Sequence, residues 1–223
     1  MKIIVLHGDN VLVSYNRLQK FIDVAQSRGW KVQRADVSQN LGEVIVSDTL
    51  FQEKRLVIVE DCRLIVKSVL KLLKSKKEEL DITLIIYHQG TLTKNFLKSL
   101  PQIDKVEEFK LPKLIWSFLE SFYPGNSRTI IQVLHKIIEK DPVEFVFSLL
   151  SKQLRDLYWI KVEPRSLYYP SWRIGKLKRQ ASKYSENQLA NLISEFAEID
   201  IKSKTSQGQL IDLLDFIIAT KLE

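Results

Sequence analysis

Short continuous apolar runs alternate with helical patterns in the first half of the chain. The runs lie at residues 3–6, 56–59 and 82–87. A short run without polar alternation is typical of a strand that is buried on both faces of a parallel sheet. Between the runs, apolar residues recur at helical spacing, for example from Leu18 to Ala25. This alternation predicts a parallel α/β sheet covered by helices on both faces.

The strand pattern stops near residues 110–112, and the rest of the chain shows helical spacing. One stripe contains Ile130, Leu134 and Ile137, and residues 185–188 read Ser-Glu-Asn-Gln, a capping box that opens a helix. We therefore predict two domains. Residues 1–110 form the α/β domain, and residues 111–223 form an all-helical bundle.

Composition narrows the functional classes. The chain has 223 residues, a net charge of +7 and one cysteine, Cys62, which excludes a disulfide framework and a cysteine-rich zinc site. No apolar run approaches the roughly 18 residues that cross a membrane, and residues 1–6 are too short for a signal sequence. We expect a cytoplasmic protein without a membrane partner. The surplus of cations suggests an acidic partner, such as nucleic acid or an anionic protein face.

The opening of the chain has the outline of a phosphate-binding loop but not its chemistry. Gly8 follows the first predicted strand, yet Val13, Ser14 and Tyr15 stand where the phosphate loop needs Gly, Lys and Ser or Thr. Without these residues the loop has neither the cation for the terminal phosphates nor the hydroxyl for magnesium. We predict a degenerate phosphate-loop domain that binds no nucleotide cofactor.

Other catalytic patterns are weak. Glu60 and Asp61 end an apolar strand, as magnesium-binding carboxylates do, but no phosphate cradle is expected to face them. An acidic strand end or a helix cap is the favoured interpretation, and a small metal-dependent enzyme is the alternative. His7, His88 and His135 lack the spacing of metal ligands. We expect no catalytic residue and no metal site.

The most distinctive segment is residues 47–60, in which Leu50 and Phe51 precede a charged turn and a buried strand. Two interpretations are open. The pair is either part of the core at the end of a helix, or an exposed apolar pair that inserts into a pocket on a partner.

This segment resembles the Leu-Phe-Gly-Glu-Lys-Arg-Leu-Val stretch of the delta subunit of bacterial DNA polymerase III, the clamp-loader subunit that opens the sliding clamp. Gln52 replaces the usual glycine. Further stretches are similar to that family in the same order along the chain: residues 7–10, 123–126, 134–137, 177–181 with 184–185, and 199–205. The resemblance extends over nearly the whole chain.

The resemblance implies an AAA+-like α/β domain without ATP hydrolysis, followed by a helical collar. It implies that Leu50 and Phe51 bind the sliding clamp (the beta subunit), and that the collar joins the gamma or tau and delta prime subunits of the loader. The family carries a small lid domain between these parts. Here residues 107–110 lead directly into residues 111–116, so we expect a shortened member that lacks the lid.

A second candidate site lies in residues 171–183, which hold five cations and no acid. Basic residues interleaved with an aromatic side chain are typical of surfaces that follow a nucleic-acid backbone. We expect contact with primer–template DNA, or with an acidic face of a neighbouring subunit, through Trp172, Arg173, Lys176, Lys178, Arg179 and Lys183. The alternative class for the whole chain is a stand-alone nucleic-acid-binding protein.

Overall fold

A computed structural model of the chain describes residues 1–35, 40–47, 54–167 and 169–223. These residues separate into two compact units, Met1–Leu111 and Pro112–Glu223. Strands occur in the first unit, and the described part of the second unit contains helices and turns. The predicted fold class, an α/β domain followed by a helical bundle, is confirmed.

The first unit is a parallel sheet with helices on both faces. Its elements are β1 (Lys2–Gly8), α1 (Val11–Ser27), β2 (Lys31–Ala35), α2 (Leu41–Val46), β3 (Arg55–Val59), α3 (Lys67–Ser75), β4 (Ile82–Gln89), α4 (Lys94–Ser99) and β5 (Lys105–Glu108). The strand order in the sheet is β2-β3-β4-β1-β5. Helices α2, α3 and α4 share one hydrophobic core on one face of the sheet, and α1 packs into a separate core on the other face.

Burial explains why the strands read as continuous apolar runs. Every residue of β3 is buried, and successive residues of β1 alternate between the two cores. Val5 packs with α2, α3 and α4, whereas Leu6 packs with α1. A strand that contributes to both cores needs apolar residues at successive positions. Residues 109–112 connect β5 to the first helix of the second unit.

The second unit contains long helices around an aromatic core. Phe147 and Phe196 stack with ring centroids 5.3 Å apart, and Phe122 meets Phe196 edge to face. In the described residues, no helix is both long and apolar enough to cross a membrane. The helices are α5 (Lys113–Ser121), α6 (Ser127–Ile138), α7 (Val143–Val162), α8 (Ser171–Ala181), α9 (Glu186–Lys204) and α10 (Leu210–Lys221).

Polar side chains close the helix ends of this unit. The predicted capping box opens α9, because Ser185 and Gln188 exchange hydrogen bonds between side chain and backbone. At the end of α5, the buried Gln180 amide donates to the carbonyls of Leu119 and Phe122, and Tyr184 donates to Phe122. Gln180 and Tyr184 therefore stabilise the bundle.

Candidate functional site

The loop after β1 lies where nucleotide-binding α/β domains hold phosphate. Here its backbone is bonded to other backbone groups. The Gly8 N–H donates to the Gly90 carbonyl at 2.8 Å, the Gly90 N–H donates back at 3.0 Å, and the Asn10 N–H donates to the Phe109 carbonyl at 3.0 Å. Gly8 has φ +139°, and a Cβ there would lie 2.1 Å from the Phe109 oxygen. Only glycine fits, and the approach of Phe109 closes the loop.

The start of α1 is satisfied within the chain as well. The Asn10 side chain accepts from the Val13 N–H at 3.2 Å, and the Asp9 carbonyl accepts from the Val11 N–H at 3.1 Å. Ser14, which stands where the phosphate loop has lysine, is buried and donates to the Val11 carbonyl. These donors, which could otherwise face an anion, are already paired.

A cavity of about 720 Å³ lies at the carboxyl ends of β2, β3 and β4. Its lining includes Glu60 and Asp61, which were considered as metal ligands. Each is bound by an arginine: Arg34 pairs with Glu60, and Arg63 holds Asp61 through hydrogen bonds of 2.6–3.0 Å. The hydrogen bonds from Arg63 lower the pKa of Asp61. Both carboxylates are therefore ion-paired with arginine in this structure.

His7 and His88 lie opposite each other where β1 pairs with β4. Burial lowers the pKa of both imidazoles. The neutral His7 ring accepts the Leu92 N–H on Nδ1 at 3.3 Å, which is a structural contact. His135 lies in the other unit and pairs with Asp215 at 2.8 Å. Within the described residues, no group of three or more His, Cys, Asp or Glu side chains is placed to hold a metal ion.

Cys62 lies beside the same carboxyl-end cavity and is half-buried. Burial, with the neighbouring Asp61 charge, raises the pKa of its thiol to about 11. A thiol with so high a pKa is protonated at neutral pH and is a poor nucleophile. The geometry therefore gives this cysteine a packing role.

The predicted clamp-binding residues, Leu50 and Phe51, lie outside the described residues. The residues on either side of segment 48–53 are described, and Arg55 joins them. Its guanidinium, on a residue that is 5% exposed, donates to the carbonyls of Val44 and Ile45 and to the Ser47 hydroxyl at 2.9–3.1 Å. The end of α2 is thereby fixed to the start of β3.

Arg55 is a residue whose role the sequence reasoning missed. The last carbonyls of a helix have no partner within the helix, and a cation suits the negative end of the helix dipole. The signal was present in the sequence, since a single arginine begins an otherwise apolar strand. One buried side chain therefore holds Ser47, before segment 48–53, close to Arg55, after it.

The basic segment at 171–183 forms α8 and the turn after it, and several of its cations have partners. Arg173 pairs with the buried Asp156 at 3.5 Å and stacks on Tyr169, 4.0 Å from the ring centroid. Lys176 pairs with Glu120 at 2.6 Å, and the Lys183 ammonium lies 3.1 Å from the ring centroid of Tyr123. These three predicted site residues are held by their own unit.

The other predicted residues of the segment face solvent. Trp172 is 62% exposed, and Lys178 is exposed without a described acidic partner. Arg179 is also exposed and bonds the Gly175 carbonyl through Nε at 3.4 Å. The structure thus divides the predicted surface into paired cations and a smaller exposed set.

The chain thus combines a parallel α/β unit, in which the loop after β1 is bonded to other backbone groups, with a helical unit. No protein-family model matches the chain, and no curated protein matches it. Among solved structures, it is similar to a DNA clamp loader delta protein of Bacillus subtilis, with a TM-score of 0.45 and 13% identity over 100% of this chain and 95% of that one. It is also similar to a DNA polymerase III gamma subunit-related protein of Thermotoga maritima, with a TM-score of 0.33 and 12% identity over 99% of this chain and 93% of that one.

Proposed function

We propose that the chain is a clamp-loader subunit that does not hydrolyse ATP and that binds a sliding clamp through Leu50 and Phe51. The observation that carries this proposal is the resemblance of residues 47–60 to the delta subunit of bacterial DNA polymerase III, together with the anchoring of that segment's flanks by Arg55. A binding segment gains affinity when its ends are fixed before the partner arrives, because less conformational freedom is lost on binding.

The clamp-opening step is explained by a difference in affinity between the closed and the open form of the ring. Burying two large apolar side chains in a pocket supplies roughly 3–6 kcal/mol before ordering costs. If the pocket fits them better in a distorted ring, binding shifts the ring towards its open form. The subunit needs no ATP chemistry of its own for this step. The bonded backbone of Gly8, Asn10 and Gly90 supports such a role.

The remaining parts of the proposal concern the assembly. The helical unit acts as a collar that joins the gamma or tau and delta prime subunits in the cytoplasm, at primer–template DNA. The four residues 109–112 between β5 and α5 support a shortened subunit without a lid domain.

The proposal is tested by measuring clamp affinity by surface plasmon resonance with the sliding clamp of the same organism. The double variant L50A/F51A is expected to weaken binding at least about 100-fold, the equivalent of about 3 kcal/mol. The matched control is I201A/F216A, which removes one aliphatic and one aromatic side chain that are 61% and 66% exposed. Equal affinity of the two double variants would overturn the clamp assignment.

A further inference from the structure

A cavity of about 760 Å³ lies within the second unit, between α7, α9 and the start of α10. Its lining contains none of the site residues predicted from the sequence. Small-molecule sites in proteins have volumes of about 300–1,000 Å³ and mostly apolar linings. The cavity has this size, and its floor is formed by buried apolar side chains: Phe147, Leu154, Phe196 and Leu210.

The sequence builds this cavity from two matching helix stripes. Positions i, i+4, i+7 and i+11 lie on one side of a helix and span about 16 Å at 1.5 Å per residue. The lining residues with this spacing are Glu144, Ser148, Ser151 and Arg155 on α7, and Ile193, Ala197, Asp200 and Lys204 on α9. The middle of each stripe holds small side chains, which leave the space open beside the stacked rings of Phe147 and Phe196.

The wall on the α7 side is less polar than its residue types suggest. The Ser148 hydroxyl donates to the Phe145 carbonyl, and the Ser151 hydroxyl donates to the Phe147 carbonyl, both at 2.8 Å. Because these donors are bonded within their own helix, the middle of the cavity suits an apolar group. The length of the stripes suits an elongated group, such as an alkyl chain.

The two ends of the α7 stripe carry opposite charges. Arg155 is exposed and has no acidic partner among the described residues, and a guanidinium can bind both oxygens of a carboxylate. Glu144 lies 11 positions earlier, in the first turn of α7, where the helix dipole favours its negative charge. On the facing helix, Asp200 is already paired with Lys204 at 2.6 Å. The cavity therefore offers a cation to an anionic ligand at one end of the stripe and repels a second anion at the other.

We infer that this cavity binds a long-chain monocarboxylate, with its chain along Phe147 and Phe196 and its carboxylate on Arg155. A volume of 760 Å³ over about 16 Å gives a mean cross-section of about 50 Å². An α-helix with its side chains is about 10–12 Å across, and its cross-section is therefore about 80 Å² or more. The cavity is thus too narrow for a helix of a partner protein but accommodates an extended chain. This site is independent of the clamp and of Leu50 and Phe51.

The test is isothermal titration calorimetry of the full chain with octanoate, decanoate and dodecanoate, below their micelle concentrations. The affinity is expected to rise about fourfold per added methylene, because each buried methylene contributes a similar transfer free energy. Decanedioate, which carries a second carboxylate, should bind more weakly than decanoate because of Glu144. The inference is overturned if none of the three carboxylates binds, or if octanoate and dodecanoate bind equally.

Two variants locate the bound chain and its head group. A197W fills the cavity from the exposed wall of α9 and should weaken decanoate binding at least about tenfold. The matched control is A190W, which makes the same change at an exposed position of α9 outside the lining. R155Q should weaken decanoate binding about tenfold and leave decanol binding unchanged, whereas R165Q, at an exposed position outside the lining, should change neither.

Circular dichroism of each variant establishes that the fold is intact, and R155Q tests the site even if A197W does not fold. Equal affinities of A197W and A190W, or of R155Q and R165Q, for decanoate would contradict the assignment. So would a change in oligomeric state of A197W in sedimentation velocity, since that result would make the cavity a contact between copies of the chain. Clamp affinity of R155Q, measured in parallel, should equal that of the wild type, which separates this site from the clamp-binding proposal.

Discussion

Two groups of five cations lie on helical segments that contain no acid, and the two groups differ in their partners. One group is on α8 and the turn after it, and the other is on helices α3 and α4. In residues 171–183, Arg173, Lys176 and Lys183 are held by Asp156, Glu120 and Tyr123 of the same unit. The lysines of the second group are exposed and have no acidic partner among the described residues: Lys67, Lys71, Lys74, Lys94 and Lys98. Local charge density is therefore a poor guide to available charge, because acids and aromatic rings from distant positions can occupy a cation.

Whether a cation has a partner within its own unit therefore distinguishes cations that stabilise the fold from cations that are available for binding. A cation that is buried or bonded stabilises the fold, and its removal should cost stability. A cation that is exposed and unpaired costs little to remove, and its loss should affect binding. The buried Arg55 is the extreme of the first kind.

The largest effect is expected for Arg55→Ala. Removing the guanidinium leaves the Val44 and Ile45 carbonyls without their donor and separates α2 from β3, which should lower the free energy of unfolding by about 3 kcal/mol. Urea unfolding followed by circular dichroism measures this. Lys54→Ala, at the exposed neighbouring position, is the control and should stay within about 0.5 kcal/mol. A similar result for both variants would contradict the structural role of Arg55.

A smaller loss is expected for Arg173→Ala, since Asp156 is buried and would keep only the Tyr169 hydroxyl as a described partner. Leaving one member of such a pair uncompensated should cost about 2 kcal/mol. Arg179→Ala in the same helix should cost no more than about 0.5 kcal/mol. If the two unfolding midpoints coincide, the distinction between paired and exposed cations fails in α8.

The ion pair between Arg17 and Glu107 allows the effect of a paired cation on stability to be measured as a function of pH. Arg17 bonds both carboxylate oxygens at 2.9–3.2 Å, and these bonds hold the pKa of Glu107 below its ordinary value of 4.5. A lowered folded pKa means that the pair stabilises fully above about pH 4.5 and loses its effect as the pH falls through the folded pKa. Melting temperatures of wild type and Glu107→Gln should differ at pH 7 and converge as the pH falls below the lowered folded pKa of Glu107. A constant difference would contradict the ion pair.

The smallest expected effect is an increase in stability. Lys71→Gln removes like-charge repulsion with Lys67 and Lys74 in α3, so it should stabilise the unit by about 0.3 kcal/mol. Differential scanning calorimetry at low salt measures the change, which should fade at high salt because the Debye length shortens. Destabilisation by this variant would show that Lys71 has a structural partner.

The sequence predicted the features that depend on neighbours along the chain. The apolar runs at β1, β3 and β4 indicated a parallel sheet, because a strand that is buried on both faces needs apolar residues at successive positions. The Ser185–Gln188 capping box could be recognised from the residue types and their spacing alone. What it could not predict were pairings over long separations, such as Arg173 with Asp156. Leu50 and Phe51 remain predictions, since the described structure does not include them.

The exchange of hydrogen bonds between Gly8 and Gly90, with Phe109 close above Gly8, has an evolutionary consequence. Placing the lysine and hydroxyl of a phosphate loop at positions 14 and 15 would not by itself create a phosphate site, because the backbone donors of Gly8 and Asn10 would still be bonded to the two stretches that follow β4 and β5. Recovering the site would require the ends of β1, β4 and β5 to move together. No single substitution releases these donors, so the hydrogen bonds among the ends of β1, β4 and β5 oppose the evolutionary return of a phosphate-binding loop at this position.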